Sequence, residues 1–67
     1  MFNLKIKIMS GQIIGKLKAP KSRKEFEVKW DSSEQTVYIS WGGWTKIGKA
    51  KTPTEAMNLA EAWLYDK

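Results

Sequence analysis

The stretch WTKIGKAKTPTEAMNLAEAWL, residues 44–64, constrains the fold more than any other part of the chain. It reads as a β-strand passing through a short loop into an amphipathic helix whose first turn is spelled out. Thr52 offers a hydroxyl to the free amides of a first turn, Pro53 has no amide to leave unpaired at the first helical position, and Glu55 stands three residues after the cap. That is a capping box with proline at N1. From Pro53 to about Tyr65, the residues Ala56, Leu59, Ala60, Trp63 and Leu64 share one stripe, while Asn58 and Glu61 face away. Two alanines let such a helix lie close to a sheet, with Trp63 filling the wider end.

Upstream the period is two. Phe2, Leu4, Ile6 and Ile8 alternate with Asn3, Lys5 and Lys7, and Ser10–Gly11 suits a two-residue turn into a strand from Ile13 to Ala19. Pairing Met9 with Gln12 puts Ile8 opposite Ile13, Leu4 opposite Leu17 and Phe2 opposite Ala19, an apolar face. The other face then sets Lys5 opposite Lys16, with Lys7 and Lys18 diagonal to them. Like charges so placed cost a few tenths of a kcal/mol, roughly, unless something neutralises them. APKSRK, residues 19–24, reads as a linker, since Pro20 disfavours a central strand. Phe26, Val28 and Trp30 alternate in a third strand, DSSEQ (31–35) is a turn, and Val37, Ile39 and Trp41 alternate in a fourth. Gly42–Gly43 turns the chain into a fifth strand from about Trp44 to Ala50. A three-residue loop with a bulge, setting Ile39 against Ile47, is preferred over Ile39 against Lys46, which moves Lys46 into the core.

The expected fold is therefore α+β: an antiparallel sheet of about five strands (β-β-β-β-β-α) with one C-terminal helix packed on one face. At 67 residues the chain is one small domain, with a basic hairpin over 1–19 and a three-stranded sheet plus helix over 25–65. Four tryptophans with Phe2, Phe26, Tyr38 and Tyr65 supply much of a small core.

Composition removes several function classes. Without cysteine or histidine, disulfide frameworks, thiolate or imidazole metal sites and the commonest general base are absent. No carboxylate pair or activated nucleophile is evident, so an enzyme is not expected, nor a cofactor. No apolar run reaches the roughly 18 residues of a membrane span and no signal-peptide core is seen, giving the expectation of a cytoplasmic protein without membrane attachment. The net charge of +5 is unevenly spread. Residues 1–24 hold Lys5, Lys7, Lys16, Lys18, Lys21, Arg23 and Lys24 with no acid, whereas residues 25–67 hold five lysines against seven acids. Such a split suits a polyanionic partner, and equally suits solubility and guarded strand edges.

With Ile47 and Gly48 ending a strand, Thr52 opening the helix, Glu55–Ala56 in its first turn and Ala60 one turn on, residues 25–65 resemble the three-stranded-sheet-plus-helix DNA-binding domains. These are the arm-binding domain of phage integrases and the plant ethylene-response-factor domain. HicB-type antitoxin domains and some small phage proteins that bind host enzymes show a similar run. The resemblance implies that the sheet face away from the helix contacts DNA, here Glu25, Glu27, Lys29, Thr36, Tyr38, Ser40 and Lys46. Its two glutamates depart from the pattern, because carboxylates are repelled by phosphates.

The resulting expectation is a small non-enzymatic nucleic-acid-binding module, DNA before RNA, acting mainly through phosphate contacts. Its candidate contacts are Lys5, Lys7, Lys16, Lys18, Lys21, Arg23, Lys24, Lys46 and Lys49, with Trp41 and Trp44 at the WGGW hairpin tip. The tryptophans either stack on unpaired bases or close the ends of the core. Lys46, Lys49 and Lys51 around Gly48 lie near the expected helix N-terminus, where an anion is favoured. The alternative is a protein-binding module that docks on and regulates a larger enzyme, using strand edges and the same two tryptophans. Oligomeric state is not legible.

Overall fold

The computed structural model describes residues 11–67. Four strands, β1 (Gln12–Lys18), β2 (Glu25–Asp31), β3 (Thr36–Ser40) and β4 (Trp44–Lys49), form one antiparallel meander in the order β1-β2-β3-β4, and α1 (Pro53–Leu64) follows. The α+β class, the antiparallel sheet and the single C-terminal helix agree with the sequence reading. The sheet has four strands among the described residues; the strand expected over Phe2–Met9 lies outside them, as does its hairpin with β1.

Alternation sends Val28 of β2 and Val37 and Ile39 of β3 to the helix side, where with Leu64 they are the largest fully buried side chains. Small Ala19, Ala50, Ala56 and Ala60 complete the core, and Ile14, Leu17, Phe26, Trp30, Ile47, Met57, Leu59 and Trp63 pack around it. The helix approaches closely because the sheet offers glycine beneath it. A Cβ on Gly15 would come 2.9 Å from Met57 Cε, and one on Gly48 would come 2.9 Å from Leu59 Cδ2.

The helix start follows its sequence pattern with one difference. Thr52, in extended conformation (φ −138°), accepts at Oγ1 from the Glu55 amide at 3.1 Å, with Pro53 at N1. Glu55 Oε1 in turn accepts at 2.9 Å from the amide of Lys51, one residue before the cap, rather than from Thr52 itself.

Three expectations of the sheet are corrected. First, β1 pairs Ile13 with Lys29 and Gly15 with Val28, leaving Ile14 as an extra residue in a bulge. One added residue reverses the side-chain phase, so Ile14 turns to the core and Ile13, expected on the apolar face, is 52% exposed. Second, β3 ends at Ser40, opposite Trp44, and Ile39 faces Thr45 rather than Ile47 or Lys46. Trp41–Gly42–Gly43 forms the loop, with Gly42 (φ 63°) and Gly43 (φ 107°) supplying left-handed backbone that glycine adopts without a Cβ clash. The bulge falls at Ile47, between the pairs Tyr38–Lys46 and Val37–Gly48; Lys46 stays out of the core by this route. Third, residues 19–24 are a tight hairpin connection rather than a linker. The Ala19 amide donates to the Lys24 carbonyl (2.9 Å), the Arg23 amide to the Ala19 carbonyl (2.8 Å), and Arg23 is left-handed (φ 63°).

Candidate functional site

In a meander with one return helix, the β1–β2 loop, the β3–β4 loop and the helix C-terminus share one end of the sheet. Aromatic rings collect there. The Trp41 ring packs on Phe26 of β2 (centroids 5.0 Å apart, planes tilted by 37°) and edge-on against Trp63 of α1 (5.4 Å, 84°). Lys67 Nζ stands 4.6 Å above the Trp63 ring. The backbone carrying Trp41 is held on both sides: its amide donates to the Ile39 carbonyl, and its carbonyl accepts from Thr45 Oγ1, each at 2.8 Å. Trp41 nevertheless remains 36% exposed. Between its ring and the β1–β2 loop lies an open cleft of about 250 Å³, lined by Ser22, Lys24, Phe26, Trp41 and Gly42. Lys21, Arg23 and Lys24 are all exposed on that loop.

The sheet face away from the helix is different. Register puts Lys16 opposite Glu27 and Lys18 opposite Glu25, so these two exposed lysines sit in a row of alternating sign. Cross-strand pairs of opposite charge are mildly stabilising and cancel most of the field felt at a distance. A second cleft on this face, about 260 Å³, is lined by Lys16, Glu25, Phe26, Glu27 and Ser40, and mixes one cation with two carboxylates. Further along, Lys29 Nζ lies 4.1 Å over the Trp44 ring, and Tyr38 pairs with Lys46. The face that the resemblance assigned to DNA does carry Glu25, Glu27, Lys29, Tyr38, Ser40 and Lys46. Thr36, also assigned to it, is buried (3% exposed) with its hydroxyl donating to the Glu34 carbonyl.

The structure thus divides the candidate residues. It brings Lys21, Arg23, Lys24 and Trp41 together at one end. It places Trp44, half-buried, on the face opposite to Trp41, so the two tryptophans of the WGGW tip do not form one surface. Lys49 is exposed but sits opposite Thr36, at the far end of the sheet. Lys5 and Lys7 lie outside the described residues, and with them the proposed Lys5–Lys16 pairing. Phe26, Ser22 and Gly42 belong to the cleft but were not singled out from sequence, since nothing local in them signals it. Among the described residues no group of acidic side chains is arranged to hold a metal ion, and no helix is long and apolar enough to cross a membrane. Compared with known family models, with curated proteins and with solved structures, the chain matches none.

Proposed function

We propose that this chain is a non-enzymatic nucleic-acid-binding module that holds backbone phosphates through the β1–β2 loop. The observation that supports the reading is the clustering of Lys21, Arg23 and Lys24 on one exposed hairpin loop beside the aromatic cleft. Among these loop residues there is no acid to offset them; Glu25 is the next residue and points along the row with Lys18. The helix C-terminus on the other side carries the negative end of the helix dipole, and Asp66 is exposed there. Lys67 over the Trp63 ring offsets part of that negative charge, and phosphates are favoured on the loop side of the cleft, where three cations meet no acid. DNA is the form that the resemblance to integrase-type domains implies, and a cytoplasmic setting goes with that reading.

The test is the salt dependence of binding to mixed DNA and RNA fragments. The variant Lys21→Gln/Arg23→Gln/Lys24→Gln should flatten the slope of log K against log salt by about two to three, one increment of roughly 0.7–0.9 per lost phosphate contact. An unchanged slope would remove the loop from the interface. The rival reading, docking on a larger protein, draws on the opposite face, which carries Ile13, 52% exposed, and, across Lys29, the half-buried Tyr38 and Trp44. Retention of a protein partner without any nucleic-acid affinity would favour that rival.

A further inference from the structure

The cleft beside Trp41 has a shape and lining that phosphate contacts alone do not explain. Resting on the nucleic-acid reading above, the geometry points to a single unpaired base as its occupant, stacked on Trp41, so that the chain takes single-stranded in preference to double-stranded nucleic acid. Its volume of about 250 Å³ is below the roughly 300–1,000 Å³ of pockets that enclose drug-sized ligands. One planar ring system fits, and a base within a duplex, already stacked on both sides, would first have to be unstacked to lie there. The cleft is lined by Phe26, Trp41 and Gly42 on one side and by Ser22 and Lys24 of the loop on the other. A base in contact with Trp41 has its own backbone next to the Lys21–Lys24 loop, where the cations are.

Two features make Trp41 a stacking platform rather than only a lid on the core. Its orientation is set in advance by Phe26, Trp63 and the two hydrogen bonds to its backbone, so little rotamer freedom remains to be lost on binding. Part of its surface also stays open: Trp41 is 36% exposed, and Gly42 next to it brings no side chain to the cleft they both line. Trp44 has neither property, being half-buried on the other face with Lys29 over its ring. Stacking on an aromatic ring is tolerant of base identity, because every base has a π-face. The preference is therefore for strandedness and not for sequence.

The experiment compares the full chain's affinity, at one salt concentration, for labelled oligothymidylate, for an abasic deoxyribose-phosphate oligomer of the same length, and for a duplex of the same length. Oligothymidylate should bind more tightly than the abasic oligomer by about 5- to 150-fold, the range of one base–aromatic stack, and more tightly than the duplex. Trp41→Leu should abolish the advantage over the abasic oligomer. Because Trp41 also packs on Phe26 and Trp63, Ser22→Phe provides a second variant that fills the cleft from an exposed loop position and should likewise remove the advantage over the abasic oligomer. Equal affinity for oligothymidylate and the abasic oligomer, with a steep salt slope for both, would overturn the base cleft and leave phosphate binding standing. Tighter binding of the duplex would also overturn it. Absence of binding to all three would overturn both readings together.

Discussion

The two ends of the sheet are built from similar parts and end up with different properties. At the end holding the β2–β3 loop and the helix start, polar groups find partners within the chain. Asp31, 5% exposed, accepts at Oδ1 from the Ser33 amide (3.0 Å), the Ser33 hydroxyl (2.9 Å) and the Glu34 amide (3.3 Å). The Trp30 indole donates to the Ala50 carbonyl (2.9 Å), and the Ala50 amide donates to the Gln35 carbonyl (2.8 Å). The capping bonds of Thr52 and Glu55 close the helix there. At the opposite end, Trp41 is kept in place by rings and stays partly exposed, and the cationic loop beside it projects into solvent. Each end spends a tryptophan. One uses its indole N–H to tie β2 to the segment that leads into the helix, and the other leaves ring surface accessible. The first arrangement serves stability, and the second is the kind that serves binding.

The sharpest way to break this contrast is to truncate the two tryptophans. Trp30→Ala should destabilise by about 3–5 kcal/mol, the usual cost of removing a large packed aromatic. Trp41→Ala should cost clearly less, because over a third of its surface is already in water. Chemical denaturation of both variants checks this, and a larger loss for Trp41 would make that end structural. Next in size, Asp31→Ala strands the donors of the β2–β3 turn and should lower stability by about 1–2 kcal/mol, without affecting the nucleic-acid binding proposed for the other end. Thr52→Ala removes the cap oxygen at an exposed position and should cost about 1 kcal/mol; coincident denaturation midpoints would mean that Thr52 does not cap. The smallest effect is expected from Lys16→Gln/Lys18→Gln. These lysines face Glu27 and Glu25, so their loss should change the salt slope of binding far less than loss of the three loop cations. A slope change as large as that of the loop variant would move the interface onto the open face.

How much of this was legible depends on the range of the interactions. The helix start was readable to the residue, because capping joins groups three or four positions apart. Strand positions were readable from alternation, but their phase was not. The consecutive pair Ile13–Ile14 leaves open which isoleucine faces inward, and only the bulge opposite Val28–Lys29 decides it. Likewise WGGW is compatible with loops of two or three residues, and that single residue of difference puts Trp41 and Trp44 on opposite faces. The basic loop was visible as charge and misread as a linker, since the bonds that fold it join Ala19 to Arg23 and Lys24 only when β1 and β2 are paired.

By itself, then, the sequence determined the class of fold, the helix and its stripe, the strand segments and the uneven distribution of cations. Each of these is written in hydrogen bonds and periodicities spanning a few residues. Tertiary structure alone decided which lysines stand opposite glutamates, which isoleucine is buried, and that Ser22 and Lys24 meet Phe26, Trp41 and Gly42 around one cleft. Those outcomes depend on one-residue bulges, which reverse side-chain phase, and on a meander that returns two separate loops to the same end. Neither leaves a signature in any short stretch of the chain.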